Sequence, residues 1–313
     1  TTTPDGNGNA WWGYISYALI GENRPRLFHI NKGTDILFEN ILLRQSPYWT
    51  FFADDIDGLE VRNSAIEVHR TNATTHDVVN LGAFNTDGFD VAGKNVYIHD
   101  VTVWNDDDCV CVKGVSSANK YAHCSENWLV ENVRTSGVGL TIGSIGPSTS
   151  HTCVKNITFR NAVMENTFKG GPGIYMKSRP GNPGETGEIS NVLYENITIN
   201  SSTQWSIWIG PQQAGYGGAC SLFWPTLGKC PVPSEITWSN ITLRDVYVNN
   251  PVTSPGVILG NSTNPMSNIV FDNVVVKGAG SKPWGANGYK CDGVANAIAT
   301  GATSPVPPCF KKQ

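Results

Sequence analysis

The segment 192-VLYENITI-199 sets a β-branched alternation on either side of an asparagine, and the same pattern returns along the chain. Copies stand at 36-ILFENILL, 96-VYIHDVTV, 128-WLVENVRT, 157-ITFRNAVM, 236-ITWSNITL and 269-IVFDNVVV, with a weaker copy at 59-LEVRNSAI. The markers are positions 40, 63, 100, 132, 161, 196, 240 and 273. Their irregular spacing falls within the roughly 20–50-residue periods of stacked structural units. Each unit is too short to bury its own apolar face, so it must stack on its neighbours. Helical periodicity is nearly absent, and strand-length runs are cut by Gly, Asn and Pro.

A second short strand follows each marker: 110-VCVKG, 140-LTIGS, 174-IYMKS, 206-SIWIG and 256-GVILG. Hairpin signals between the runs are few, which disfavours an antiparallel meander. The expected fold is all-β, a right-handed parallel β-helix with one coil per repeat. No linker or composition shift divides residues 1–313, so one domain is expected. The pattern runs to about residue 276, and a cysteine-containing tail from about 277 is expected to cap the last coil.

The chain has 22 Lys and Arg against 26 Asp and Glu, a formal charge of −4. That balance excludes nucleic acid and anionic membrane surfaces as expected partners. No apolar run approaches the roughly 18 residues of a spanning helix. Eight cysteines without paired CxxC motifs point to disulfides in an oxidising compartment. Cys220 with Cys230 and Cys291 with Cys309 are the natural local pairs, while Cys109, Cys111, Cys124 and Cys153 stay open. Sequons at Asn72, Asn156, Asn196, Asn200, Asn240 and Asn261 agree with secretion, although three are Asn-Ile-Thr inside the repeat itself. The chain begins at Thr1, which suits a processed N-terminus, and a longer parent chain stays open. The end strands of a β-helix also offer edges for self-assembly.

The carboxylates are unevenly placed. Asp87 stands in an Asn-Thr-Asp-Gly turn, and Asp106, Asp107 and Asp108 form a run before Cys109. Aligning 87-DGFDVAG-93, 108-DCVCVKG-114, 138-VGLTIGS-144 and 172-PGIYMKS-178 puts Asp87 and Asp108 at equivalent places on consecutive coils. Neighbouring strands lie about 4.8 Å apart, so the two carboxylates are expected side by side, with Asp107 facing another way. Like charges at that range raise one pKa. Hydrolysis of a glycosidic bond with inversion uses such a set, with acid and base about 6.5–9.5 Å apart. A solvated acidic turn, or a Ca²⁺ site of oxygen ligands, is the plain alternative. No histidine spacing indicates zinc, and no cofactor is expected.

With these residues in place, the sequence resembles glycoside hydrolase family 28, the polygalacturonase and rhamnogalacturonan hydrolase family. The resemblance covers nearly the whole chain through 5-DGNGNAWW-12, 85-NTD-87, 107-DDC-109, 137-GVGLTIGS-144 and 174-IYMKS-178. It implies a pectin-lyase-like parallel β-helix and inverting hydrolysis of α-glycosidic bonds in a pectin-like polysaccharide, outside the cell. It assigns the acid to Asp107 and the water-activating pair to Asp87 and Asp108. The family's Gly-His-Gly stands here as 137-GVG-139, and its Arg-Ile-Lys as 175-YMK-177. Val138 therefore replaces an imidazole, and Tyr175 a guanidinium. Both changes favour chain-end or rhamnogalacturonan-directed cleavage over an ordinary endo-acting polygalacturonase.

Lys113 and Lys177, in equivalent register, are expected to reach the cleft and supply charge for a sugar carboxylate, with Arg179 as a replacement guanidinium. Trp205, Trp208 and Trp224 could stack on sugar faces, and burial is the equal alternative for Trp208. Two other functions stay open: a non-catalytic β-helix glycoprotein that binds carbohydrate or builds a wall, and a lyase on the same fold.

Overall fold

The computed structural model describes residues 3–13, 22–70, 83–115, 118–165 and 171–313. Eight long strands stack in parallel and in sequence order: Phe28–Glu39, Phe51–Arg62, Phe89–Trp104, Ser125–Ser136, Thr152–Glu165, Gly187–Asn200, Ile236–Asn249 and Met266–Lys277. A second parallel stack runs from the start of Phe89–Trp104 through Val110–Val112, Leu140–Ile145, Ile174–Ser178, Ile207–Pro211 and Gly256–Leu259 to Tyr289–Asp292. Each turn of chain adds one strand to each stack, which makes a right-handed parallel β-helix. None of the described residues forms a helix long and apolar enough to cross a membrane.

Alternation along each strand sends one set of side chains inward. Leu59, Val96, Trp128, Ile157, Val192, Ile241 and Ile269 occupy one register position on successive coils, and all are buried. Phe28, Phe51 and Phe89 form an aromatic ladder at 5.5 Å spacings. Each fully buried side chain of this size contributes about 1.5–3 kcal/mol.

The coil turns corners at asparagines in the left-handed region. Two such corners recur, five residues apart in Asn191 and Asn196, with φ of 53° at both. Asparagine tolerates this conformation better than other non-glycine residues, and its amide hands on a hydrogen bond from coil to coil. Asn127, Asn156, Asn191, Asn240 and Asn268 each donate to the coil before, from Asn127 to Asn95 onward. This corrects the repeat alignment at one copy. Asn240 stacks on Asn191, so the counterpart of 192-VLYENITI is 241-ITLRDVYV, and Asp245 holds the corner equivalent to Asn196. Two similar corners per coil allowed the pattern to slip by five residues.

The outward position before the second corner carries Glu39, Arg62, His99, Glu131, Arg160, Glu195, Arg244 and Asp272, and every neighbouring pair except Arg62 with His99 sets a basic residue against an acidic one. Opposite charges directly across parallel strands favour this register over its neighbours.

The tail differs from a simple cap. Tyr289–Asp292 and Ile298–Thr300 pair with the preceding coil, so the solenoid continues past residue 276. Phe310 then closes the end against Phe271, with ring centroids 4.8 Å apart. Cys124 is bonded to Cys153, Cys220 to Cys230 and Cys291 to Cys309, while Cys109 and Cys111 are buried free thiols.

Candidate active site

Residues 105–109 form a turn before the strand Val110–Val112, and their fixing begins with Asn105. Its Nδ2 donates to the carbonyls of Thr86 and Asp108, tying the Asp106–Asp108 run to the Asn-Thr-Asp turn of the previous coil. Phe89 pairs with Val110, which sets Asp87 opposite Asp108, and the Gly88 N–H donates to the Asp108 carbonyl at 2.7 Å. Gly88 permits this contact, since a Cβ there would meet the Cys109 carbonyl oxygen at 2.3 Å.

Asp107 does not face away. One carboxylate oxygen from each of Asp87, Asp107 and Asp108 lies within 4.8 Å of the others. Alternation applies to strands, and Asp107 sits in a turn, where its Oδ1 accepts the Asp108 N–H (2.8 Å) and its Oδ2 accepts the Asn85 N–H (3.0 Å). Those two bonds turn its head back toward Asp87. The separation is also shorter than the expected 6.5–9.5 Å, because the three carboxyls come from consecutive residues and an adjacent strand.

Two lysines close the group. Lys177 Nζ donates to Asp108 Oδ2 at 2.8 Å, and Thr141 Oγ1 donates to Asp108 Oδ1 at 2.9 Å. Lys113 Nζ lies 3.2 Å from Asp90, 3.5 Å from Asp87 and 4.0 Å from Asp108. The sequence reading placed both ammoniums at a sugar carboxylate. In the structure both are engaged with the buried aspartates, because an unpaired carboxylate in that position would be costly. The same lysines make the triad a poor cage for a divalent cation, which would face two ammoniums.

Asp90 was missed, although a signal was present: alternation from the inward Phe89 turns Asp90 to the outer face. It is fully buried, and its pKa is pushed up to about 6 by burial, with Lys113 pulling the other way and Asp108 adding to the rise. Burial, then Asp90 and Asp108, push Asp87 well above the usual carboxylate range, against Lys113 and Lys177. Asp107 is pushed up to about 8 by burial and by the charges of Asp87 and Asp108. It is the most exposed of the triad, with Asp87 and Asp108 buried. A carboxyl that keeps its proton near neutral pH, open to solvent beside further carboxylates, can protonate a leaving oxygen while a neighbour takes a proton from water.

Val138 and Tyr175 lie side by side with Trp205, Trp208, Val257 and Leu259 in a buried apolar cluster. Tyr175 is therefore packed rather than extended toward an open groove, and Lys177 Nζ sits 4.3 Å from its ring centroid. Trp208 is wholly buried and Trp205 nearly so. Trp224 packs on both and Trp284 on Trp205 at 5.6 Å, and the Cys220–Cys230 bond pins the covering loop. The two buried tryptophans are thus unavailable for sugar stacking. Arg179 is exposed at the far side of Lys113.

Of the sequons, Asn156, Asn196 and Asn240 use Nδ2 in the corner ladders, Asn200 donates to Glu165, and Asn261 donates to the Val232 carbonyl. Asn72 lies outside the described residues.

Comparison with known proteins adds relatives to this geometry. An endopolygalacturonase of Emericella nidulans is 30% identical over 277 residues, covering 87% of this chain and 63% of the relative. A probable rhamnogalacturonase E of Aspergillus flavus is 34% identical over 205 residues, covering 62% of this chain and 38% of the relative. This chain thus spans less than two thirds of the length of either. Among solved structures, a polygalacturonase from Erwinia carotovora superimposes with a TM-score of 0.67 at 23% identity, covering 94% of this chain and 68% of that one. An endo-xylogalacturonan hydrolase from Aspergillus tubingensis gives 0.55 at 20% identity, covering 99% and 74%. The family described as Glycosyl hydrolases family 28 matches residues 1–300, and the chain belongs to it.

Proposed function

We propose that this protein is a secreted hydrolase of α-glycosidic bonds in a pectin-type polysaccharide, with Asp107 as the acid and Asp87 and Asp108 as the water-activating pair. The observation that carries the proposal is the convergence of three carboxylates from two coils, one of them held protonated near neutral pH. In the proposed reaction Asp107 gives its proton to the departing sugar oxygen. A water held at Asp87 and Asp108 attacks the anomeric carbon and gives up a proton to an ionised carboxylate. Asp87 Oδ1 is buried and has no hydrogen-bond partner among the described residues.

Chain-end or rhamnogalacturonan-directed action is supported by what covers the outer face beyond the triad. The column Tyr175, Trp208 and Val257 is buried under Trp205, Trp224, Trp284 and the disulfide-bonded loop. A long polymer crossing all coils would have to displace that cluster.

Release of reducing ends from polygalacturonate and from rhamnogalacturonan tests the proposal. Asp107→Asn is expected to abolish release, and an unchanged rate overturns the assignment. The anomer formed first, read by proton NMR, distinguishes inversion from retention, which the short carboxyl separation leaves to experiment. Products that absorb in the ultraviolet would instead identify a lyase.

A further inference from the structure

The outward column beside the triad runs Asp90, Cys111, Thr141, Tyr175, Trp208 and Val257, in register on successive coils. It begins with a carboxyl and ends in the apolar cluster, and Thr141 stands at the boundary. Alternation along Leu140–Ile145 fixes its direction: Leu140 and Ile142 point into the core, and Thr141 points to the outer face. Thr141 is wholly buried there, so it touches no polymer and acts only through what it bonds.

Its hydroxyl has two acceptors. Thr141 Oγ1 lies 2.9 Å from Asp108 Oδ1 and 3.2 Å from the carbonyl oxygen of Val138. A hydroxyl carries one hydrogen and donates to one of them at a time. Val138 belongs to a turn braced on the aspartate run: its N–H donates to the Asp107 carbonyl at 2.7 Å, and the Gly139 carbonyl accepts the Cys109 N–H at 3.0 Å. The other oxygen of Asp108 is bonded to Lys177, whose ammonium is a donor in every orientation. Only the partner at Oδ1 can change.

We propose that Thr141 is a positioning residue for the base. Its hydroxyl donates to Asp108 while that carboxylate is charged, and turns to the Val138 carbonyl when Asp108 takes the proton of water. The claim rests on the hydrolase reading and names Asp108 as the member of the pair that receives the proton. In that step an O–H bond of water breaks and its oxygen bonds the anomeric carbon as the glycosidic bond parts. The released proton joins Asp108, the Asp107 proton joins the departing oxygen, and Thr141 keeps its own hydrogen throughout. A buried hydroxyl without a partner is costly, and this one has a partner in either state.

The charged groups facing Asp108 are Asp87 and Asp90 from the preceding coil, Asp107 beside it, Lys113 beyond Val110–Val112, and Lys177 two coils on. Burial holds the side chains of Cys109, Cys111, Tyr175 and Tyr194 neutral, so they add no charge that titrates with the base.

Thr141→Val keeps the shape and removes the hydrogen, Thr141→Ala removes hydroxyl and methyl without needing space, and Thr141→Ser keeps the hydroxyl. Rates on polygalacturonate and rhamnogalacturonan are measured against pH, with melting temperatures at pH 7 and pH 3. Thr141→Val and Thr141→Ala are each expected to lower kcat at least about tenfold with KM within about twofold. Both should move the acidic limb of the pH–rate profile upward, since the charged pair loses a donor. Thr141→Ser should stay within about threefold of the unsubstituted protein, with its limb in place. The melting loss in Thr141→Val should be larger at pH 7 than at pH 3, where a carboxyl below its ordinary range of about 4 is protonated and the bond carries no charge. Full rate in Thr141→Val, Thr141→Ser as slow as Thr141→Val, or an acidic limb that stays in place each overturns the proposal. If even the unsubstituted protein releases no reducing ends, the hydrolase reading fails and the melting comparison decides alone. A loss larger at pH 7 and restored in Thr141→Ser keeps Thr141 as the donor to the Asp108 charge, and an equal loss at both pH values removes it.

Discussion

The ammonium of Lys177 and the carboxylate of Asp108 are bonded across 2.8 Å, although their coils are two apart in the solenoid. The contact is buried, so neither charge can turn to water if the other is removed. Replacing Lys177 with Met should cost about 3–5 kcal/mol of stability, the usual penalty for orphaning a buried charge. Lys113, 4.0 Å from the same oxygen, should keep the loss near the lower end. The proposed hydrolysis should fall at least about a hundredfold. Urea unfolding together with initial rates checks both, and wild-type values for either one would show the bond to be incidental.

Asp107 gives a pH dependence of known sign. Its carboxyl is held up to about 8 in the folded protein by burial and by Asp87 and Asp108, against an ordinary value of 3.8. Between those limits the folded form holds a proton that the unfolded form has released, so stability falls as pH rises from about 4 to about 8. Asp107→Asn should flatten that slope, raising the melting temperature more at pH 8 than at pH 5. In the unsubstituted protein the rate should decline above about pH 8, as the acid loses its proton. A variant whose melting temperature shifts equally at both pH values would remove Asp107 as the group responsible.

Asp90 should act through its neighbours. It raises the pKa of Asp87 and lies 3.2 Å from Lys113, and no opening brings it to substrate. Asp90→Asn removes a negative charge, so Asp87 should ionise at lower pH and the acidic limb of the pH–rate profile should move down. The rate at the optimum should fall less than about tenfold, well short of the loss in Asp107→Asn. A profile that keeps its limbs while the rate collapses would mean that Asp90 serves folding alone.

How much of this was legible depended on what each residue's position rests on. The register of Asp87 with Asp108 could be read because 87-DGFDVAG and 108-DCVCVKG share one alternation and one terminal glycine. The direction of Asp107 could not, because a turn obeys no alternation and two backbone N–H groups aim its carboxylate. Lys113 and Lys177 were placed on the correct face, but their contacts with the aspartates were not foreseen, because no local pattern announces that those carboxylates are buried. Tyr175 is buried in one cluster with Trp205 and Trp208, and Trp284, which packs against that cluster, lies more than a hundred residues further along the chain.

The asparagine corners yield the last expectation. Asn196 holds φ at 53° and donates from Nδ2 to Asn161 Oδ1 at 2.9 Å, with one coil stacked on each side. Alanine at 196 would lose the bridge and strain the left-handed backbone, at a combined cost of about 2 kcal/mol. Glycine would lose the bridge but tolerate the backbone, so Asn196→Gly should cost only about 1 kcal/mol. The same nitrogen would have to carry any N-linked glycan, so a folded molecule with the ladder intact should show no sugar at Asn156, Asn196 or Asn240. Chemical denaturation of the two variants and peptide mass spectrometry of protein secreted from a glycosylating host make the comparison. Full occupancy at Asn196 with unchanged stability would mean that the amide ladder is dispensable, and that shape alone keeps asparagine at these corners.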